Sequence, residues 1–202
     1  MLQSFNKKLI TGVLLLSTFT SLAFKFEDDV INYFGISKDI TFSNLVYKLA
    51  WSSHPNLQYY KQEYVPDGEN VNRFHNMVLV DFIQRDIPVM DVVASQVNVL
   101  EKRKKTDINC RYALVNNKDS SEYILDFMMS EVSGSNINIL EWNAYHYKIY
   151  TDKAGHKGVL LFGVSHRAYN EEAAPFLTEL DEYRDKHRKA LIKFPLPQIQ
   201  LK

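Results

Sequence analysis

"INILEWNAYHYKIYTDKAGHKGVLLFGVSHRAY", residues 137–169, holds two long runs rich in Ile, Val, Tyr and Phe around the polar turn "TDKAGHKG" (151–158). A connection this short joins antiparallel neighbours, because parallel strands need a crossover of a dozen residues or more. Side chains alternate along a strand. Trp142, Ala144 and His146 therefore share one face of the first run, while Glu141, Asn143 and Tyr145 share the other. In the second run His166 is in phase with Phe162 and Val164.

Working outward, the same β-prone composition returns in "VYKLAWSS" from Val46, "LQYYKQEY" from Leu57, "MVLVDFI" from Met77, "CRYALV" from Cys110 and "EYILDFMM" from Glu122. In the second of these the tyrosines fall on both faces, with Tyr60 and Tyr64 in phase across Gln62. Two segments change period from two to about 3.6. In "IPVMDVVASQVNVLEKRKK", Val89, Val93, Val97 and Leu100 form a stripe, with Pro88 suited to the first turn and Asp86 to the cap. The basic run Lys102–Lys105 closes that helix and complements its macrodipole, a structural role for what otherwise looks like a nucleic-acid patch. A second helix, near Glu172 to Lys193, sets Phe176, Leu180, Tyr183, His187 and Leu191 on one face, with Pro175 close to its start. The order of strands, helix, strands, helix predicts an α+β domain: a largely antiparallel β-sheet with two main helices packed on it.

The first 23 residues carry Lys7 and Lys8, an apolar run from Leu9 through Phe19, and no acidic residue. This is the layout of a secretory signal peptide, with Ser21 and Ala23 supplying the small residues of a cleavage site after Ala23. Ser17, Thr18, Thr20 and Ser21 interrupt the apolar run well short of the roughly 20 residues of a membrane span, so no stable membrane anchor is expected. Phe24 to Lys202 then reads as a single domain. It carries 22 basic against 24 acidic residues, a formal charge of −2. Such a balance gives no global electrostatic reason to seek nucleic acid. Cys110 is the only cysteine, so no internal disulfide forms. A chain of this size without bridges suits export in a Gram-negative bacterium, to the periplasm or beyond.

Between "LQYYKQEY" and "MVLVDFI", Pro66-Asp67-Gly68 has the chemistry of a turn, and Glu69 to Phe74 is expected to form a short helical turn. His75 follows with no metal or triad spacing around it, and reads as a polar residue at a strand edge. The stretch "YKLAWSSHPNLQYYKQEYVPDGENVNRFHNMVLVDF" (47–82), with its Tyr-x-Pro-x-Gly-Glu turn before a Met-Val strand, resembles the opening half of small exported bacterial proteins of unassigned function. The resemblance implies an exported α+β protein and carries no site residue.

Catalytic spacings are absent. There is no G-x-S-x-G elbow, phosphate-binding loop, G-x-G-x-x-G, H-E-x-x-H or C-x-x-C. Cys110, at a strand start beside Arg111 and Tyr112, reads as a small buried hydrophobe. The remaining constellation is His146 and His166 with Glu141 or Asp126, a metal or acid–base site only if the late hairpin's register brings them together. The expectation is an exported, non-enzymatic protein without cofactor, binding a small molecule or an envelope or protein partner through an aromatic sheet face. Twelve tyrosines, each an apolar ring with a polar tip, would suit that face. The alternative is a hydrolase or metal-dependent enzyme whose site forms only in three dimensions, around His146, His166 and Glu141.

Overall fold

The computed structural model describes residues 30–202, so the leader expected at residues 1–23 lies outside the described residues. The elements are β1 (Asp39–Phe42), β2 (Leu45–Asn56), β3 (Tyr59–Val65), β4 (Asn76–Ile83), α1 (Val89–Arg103), β5 (Arg111–Asn116), β6 (Glu122–Ser133), β7 (Asn136–Thr151), β8 (Lys157–Tyr169) and α2 (Ala173–Lys193). A 3-10 turn, Asn170–Glu172, leads into α2. The class is α+β, with one eight-stranded antiparallel sheet and two helices. Each of the seven runs read as β-prone forms a strand. The eighth, β1, is a four-residue strand that folds back on β2 through Ser43 and Asn44, both at positive φ. That is the two-residue hairpin geometry whose twist matches the strands.

The strand order β1-β2-β3-β4-β8-β7-β6-β5 is two antiparallel meanders laid side by side. β1 to β4 form one and β5 to β8 the other; β4 and β8 pair from Asn76↔His166 to Ile83↔Val159 and join them. α1 connects the two meanders across one face of the sheet, and α2 covers the opposite face.

On the α2 face Trp142, Tyr64, Phe34, Phe42, Phe82 and Phe162 are fully buried. Phe176, Leu180 and Leu191 of α2 are buried against them, while Tyr183 and His187 stack at 3.9 Å and close over Trp142. The segment after α2 continues this layer. Ile199 is buried, and the Gln200 amide donates to the Phe34 carbonyl at 2.8 Å. On the α1 face two smaller apolar clusters form. One unites Val89, Val92, Val93 and Leu100 of α1 with Leu125, Phe127, Val159 and Leu161; the other joins Val65, Phe74, Met77 and Leu79.

Three local expectations need correction. The α1 stripe is rotated: Val92 and Gln96 are buried with Val89, Val93 and Leu100, whereas Val97 is only half-buried. Asp86 does not cap the helix. Pro88 occupies the cap in an extended conformation with ψ 140°, and no side chain bonds the first-turn amides. Residues 69–74 form no helical turn. Asn70 Oδ1 accepts from the Asn72 and Arg73 amides, at 3.0 Å each, while Glu69 Oε2 takes the His75 and Asn76 amides at 2.8 and 3.2 Å. Side chains thus claim the amides that a helix would donate to its own carbonyls.

Candidate functional site

The late hairpin places His146 opposite Phe162 and His166 opposite Trp142. Both histidines face α2, but four strand residues, roughly 13 Å, separate their rows. Each is occupied locally. His146 Nε2 lies 2.8 Å from Glu122 Oε2, whose other oxygen takes Lys148 Nζ at 2.7 Å. His166 Nδ1 lies 3.0 Å from Asn76 Oδ1, between the rings of Phe176 and Tyr183. Burial pushes its pKa down to about 4, with His75 and His187 adding to the effect. Glu141 projects from the other face of β7, ion-paired to Arg167, and Asp126 accepts from Trp142 Nε1 at 2.9 Å and from Arg184. The structure therefore does not bring His146, His166 and Glu141 together. Among the described residues no group of three or more His, Cys, Asp or Glu is arranged to hold a metal ion.

His75 is better partnered than a strand-edge residue, lying 3.4 Å from Glu172 and 3.7 Å from Glu69 with Tyr169 edge-on to its ring. Cys110 is buried with Sγ 3.7 Å from the Leu100 carbonyl, and burial followed by Asp107 pushes its thiol pKa up. That is the opposite of nucleophile activation.

The chemistry gathers on the α1 face, in the gap between the two apolar clusters. A cavity of about 100 Å³ lies over β3, β4, β8 and β7, the four central strands, and is lined also by Val92 and Gln96 of α1 and by Val71 and Phe74. One water needs only roughly 10–15 Å³. The pairing register orders the floor in rows. Lys61, Asp81, Leu161 and Tyr147 form the first; Glu63, Leu79, Gly163 and Tyr145 the second; Met77, Ser165 and Asn143 the third; Arg167 and Glu141 the fourth.

Five acidic and basic groups of this floor, Lys61, Glu63, Asp81, Glu141 and Arg167, are largely withdrawn from water. Asp81 Oδ2 accepts from the Tyr59 hydroxyl at 2.7 Å. Burial lifts the Asp81 pKa to about 6, although Lys61 and that hydrogen bond pull the other way. Lys61 pairs with Glu63 at 2.9 Å. Burial opposes its charge, but Asp81, Glu63 and Glu141 outweigh it and hold its pKa above the ordinary value. Arg167 behaves likewise against Glu141, with its guanidinium 4.1 Å over the Phe74 ring. Burial also drives the phenols of Tyr59, Tyr145 and Tyr147 upward, so all three stay protonated.

Five buried polar atoms lining this cavity have no hydrogen-bond partner within the protein: Asp81 Oδ1, Gln96 Oε1, Asn143 Nδ2, Tyr147 OH and Ser165 Oγ. All five residues are at most 9 % exposed. Buried polar atoms are partnered as a rule, and leaving one bare costs about 1–3 kcal/mol. The cavity is roomy enough for an occupant, water included, to complete their hydrogen bonds.

None of this was singled out from sequence except the shared face of Glu141, Asn143 and Tyr145. The available signal was Asp81 inside the apolar run "MVLVDFI", a charge where a central strand should have none.

A family model matches residues 34–196, a span containing every strand and every residue lining the cavity. No curated protein and no solved structure matches the chain. With most of its length matched, the chain belongs to this uncharacterised bacterial family.

Proposed function

We propose that this protein is exported and binds a small polar molecule in the cavity between α1 and the central strands, without transforming it. The observation that carries the reading is the convergence there of five buried, unpartnered polar atoms. Aromatic walls from Tyr59, Tyr145, Tyr147 and Phe127 accompany them, the mixture of apolar lining and a few placed polar groups that small-molecule sites use. No helix among the described residues is long and apolar enough to cross a membrane, and the charge and apolar pattern of residues 1–23 supports export.

One observation favours a second reading, an enzyme. A buried carboxyl whose pKa is lifted to about 6 beside a tyrosine hydroxyl has the character of a general base. Binding is preferred because, among the described residues, no histidine or cysteine lines the cavity beside Ser165 and Asp81 and no group there is arranged to hold a metal ion.

The test is a thermal-shift screen of small polar solutes, with native mass spectrometry of the purified protein. Solutes that stabilise the wild type and fail with Asn143→Leu or Ser165→Val place binding in the cavity. A screen without any such solute, with no bound mass, overturns the reading. Recovery of a stabilising solute chemically altered favours the enzyme.

A further inference from the structure

The rows of the cavity floor differ in the unpartnered atoms they present. In the first row Asp81 Oδ1 is an acceptor, and Gln96 Oε1 faces the same cavity as another. Tyr147 OH shares the Asp81 row and feels its charge. In the third row Asn143 Nδ2 is a donor, and Ser165 Oγ, directly across the β7/β8 pairing from it, has a hydroxyl to give. The first row thus offers a carboxylate oxygen without a donor, and the third an amide donor with a hydroxyl beside it.

Formal charge follows the same division. Around the acceptor end Lys61 stands against two carboxylates, Glu63 and Asp81, for an excess of one negative charge when Asp81 is ionised. At the donor end Arg167 and Glu141 form a matched pair. Between the ends lies a floor without side chain at Gly163, over which the Tyr145 ring lies flat. Tyr145 packs edge-on against Phe127 with ring centroids 5.0 Å apart, giving an aromatic middle to a cavity with polar ends.

From this polarity we infer that the ligand is a small primary ammonium compound with a hydrogen-bond acceptor, carboxylate or amide, at its far end: the ammonium sits against Asp81 and Gln96, the acceptor against Asn143 and Ser165. This rests on the binding reading above and adds the class and orientation of the ligand. An ammonium can donate to Asp81 Oδ1 and to the Tyr147 oxygen in the first row and to Gln96 Oε1 of α1, and it offsets the excess carboxylate. Aromatic rings beside it are favourable neighbours for a cation. A carboxylate alone would meet Asp81 and Glu63 as like charges, so orientation is fixed by repulsion as well as attraction.

The inference is tested by calorimetric titration with a matched set: 6-aminohexanoate, 6-aminohexanamide, hexylamine and hexanoate, with the ω-amino acids from three to eight carbons to find the span. The two compounds with both ends should bind at least tenfold more tightly than either hexylamine or hexanoate. Asp81→Asn and Gln96→Leu should weaken every ammonium compound, at least tenfold for the first. Asn143→Leu should weaken only those carrying the acceptor, bringing them to the level of hexylamine. Melting curves identify any variant that fails to fold, and the remaining variant at the same end of the cavity then decides.

Hexanoate binding as tightly as 6-aminohexanoate, or ammonium binding indifferent to Asp81→Asn, overturns the inference. If the whole set is inert while another solute from the general screen binds in a manner sensitive to Ser165→Val, the ammonium assignment falls and the binding reading stands. If neither the set nor the screen yields a ligand, both fall.

Discussion

Gly163 lies opposite Tyr145 in the β7/β8 register, and a Cβ on Gly163 would stand 2.7 Å from Tyr145 Cδ1 and 2.9 Å from Cε1. The absence of a side chain on one strand is what lets the aromatic ring of the next cross the cavity floor. Gly163→Ala should displace that ring and cost about 1–3 kcal/mol, the usual penalty for overfilling a packed site. In a Tyr145→Ala background the added methyl has room, so the two penalties should fall short of additive in chemical denaturation. Additive penalties would mean that the ring does not depend on Gly163.

The rotated stripe of α1 gives an ordered set of stabilities. Val93 is fully buried against the sheet, Val97 half-buried and Lys104 at the exposed helix end. Val93→Asp should lose about 3 kcal/mol or more by burying an unpaired charge. Val97→Asp should lose less, and Lys104→Ala should change little. Thermal melts that ranked Val97→Asp as the worse of the two aspartates would place the buried face wrongly.

Two buried groups tilt stability with pH in opposite directions. The Asp81 carboxyl, lifted from 3.8 to about 6, holds a proton in the folded state that it releases when unfolded. Its contribution is therefore present at the acid end and lost as pH rises through that interval, a change of about 3 kcal/mol for a shift of about two pH units. His166, lowered from 6.5 to about 4, does the reverse: its contribution is present above 6.5 and lost as pH falls toward 4. Denaturation from pH 4 to 7 should show Asp81→Asn rising more steeply with pH than the wild type, and His166→Gln rising less. Parallel curves for all three proteins would contradict both assignments.

The proposed leader predicts a product. Exported protein should begin Phe24-Lys25-Phe26, read by N-terminal sequencing of the material outside the cytoplasm. An intact Met1 species held in the membrane would refute both processing and export.

The strands and both helices were legible because their periods are local properties of the chain, visible as alternation in β7 or as the spacing of Phe176, Leu180 and Tyr183 in α2. β1 escaped because four residues, "DITF", are too few to show a period. The cavity escaped for a different reason. Lys61 and Glu63 stand in a polar stretch of β3 and Glu141 between Leu140 and Trp142, and in an antiparallel sheet such placements ordinarily signal a face open to water. Only the strand order, which puts β3, β4, β8 and β7 in the middle, and the path of α1 over that face show that these charges are enclosed. His146 and His166 illustrate the complementary limit. Their shared face could be counted from alternation, but the separation of their rows belongs to the register between strands.

The junction of the two meanders has a kinetic consequence. β4 and β8 lie far apart in the chain and pair across the middle of the sheet, so their contact carries a loop-closure cost that the hairpins inside each meander do not. The cavity straddles that seam, taking Tyr59, Lys61 and Asp81 from one meander and Asn143, Tyr147 and Ser165 from the other. An occupant touching both halves would tie the two meanders together across that joint. Its signature would be slowed amide exchange along β4 and β8, with exchange in the outer hairpins unchanged.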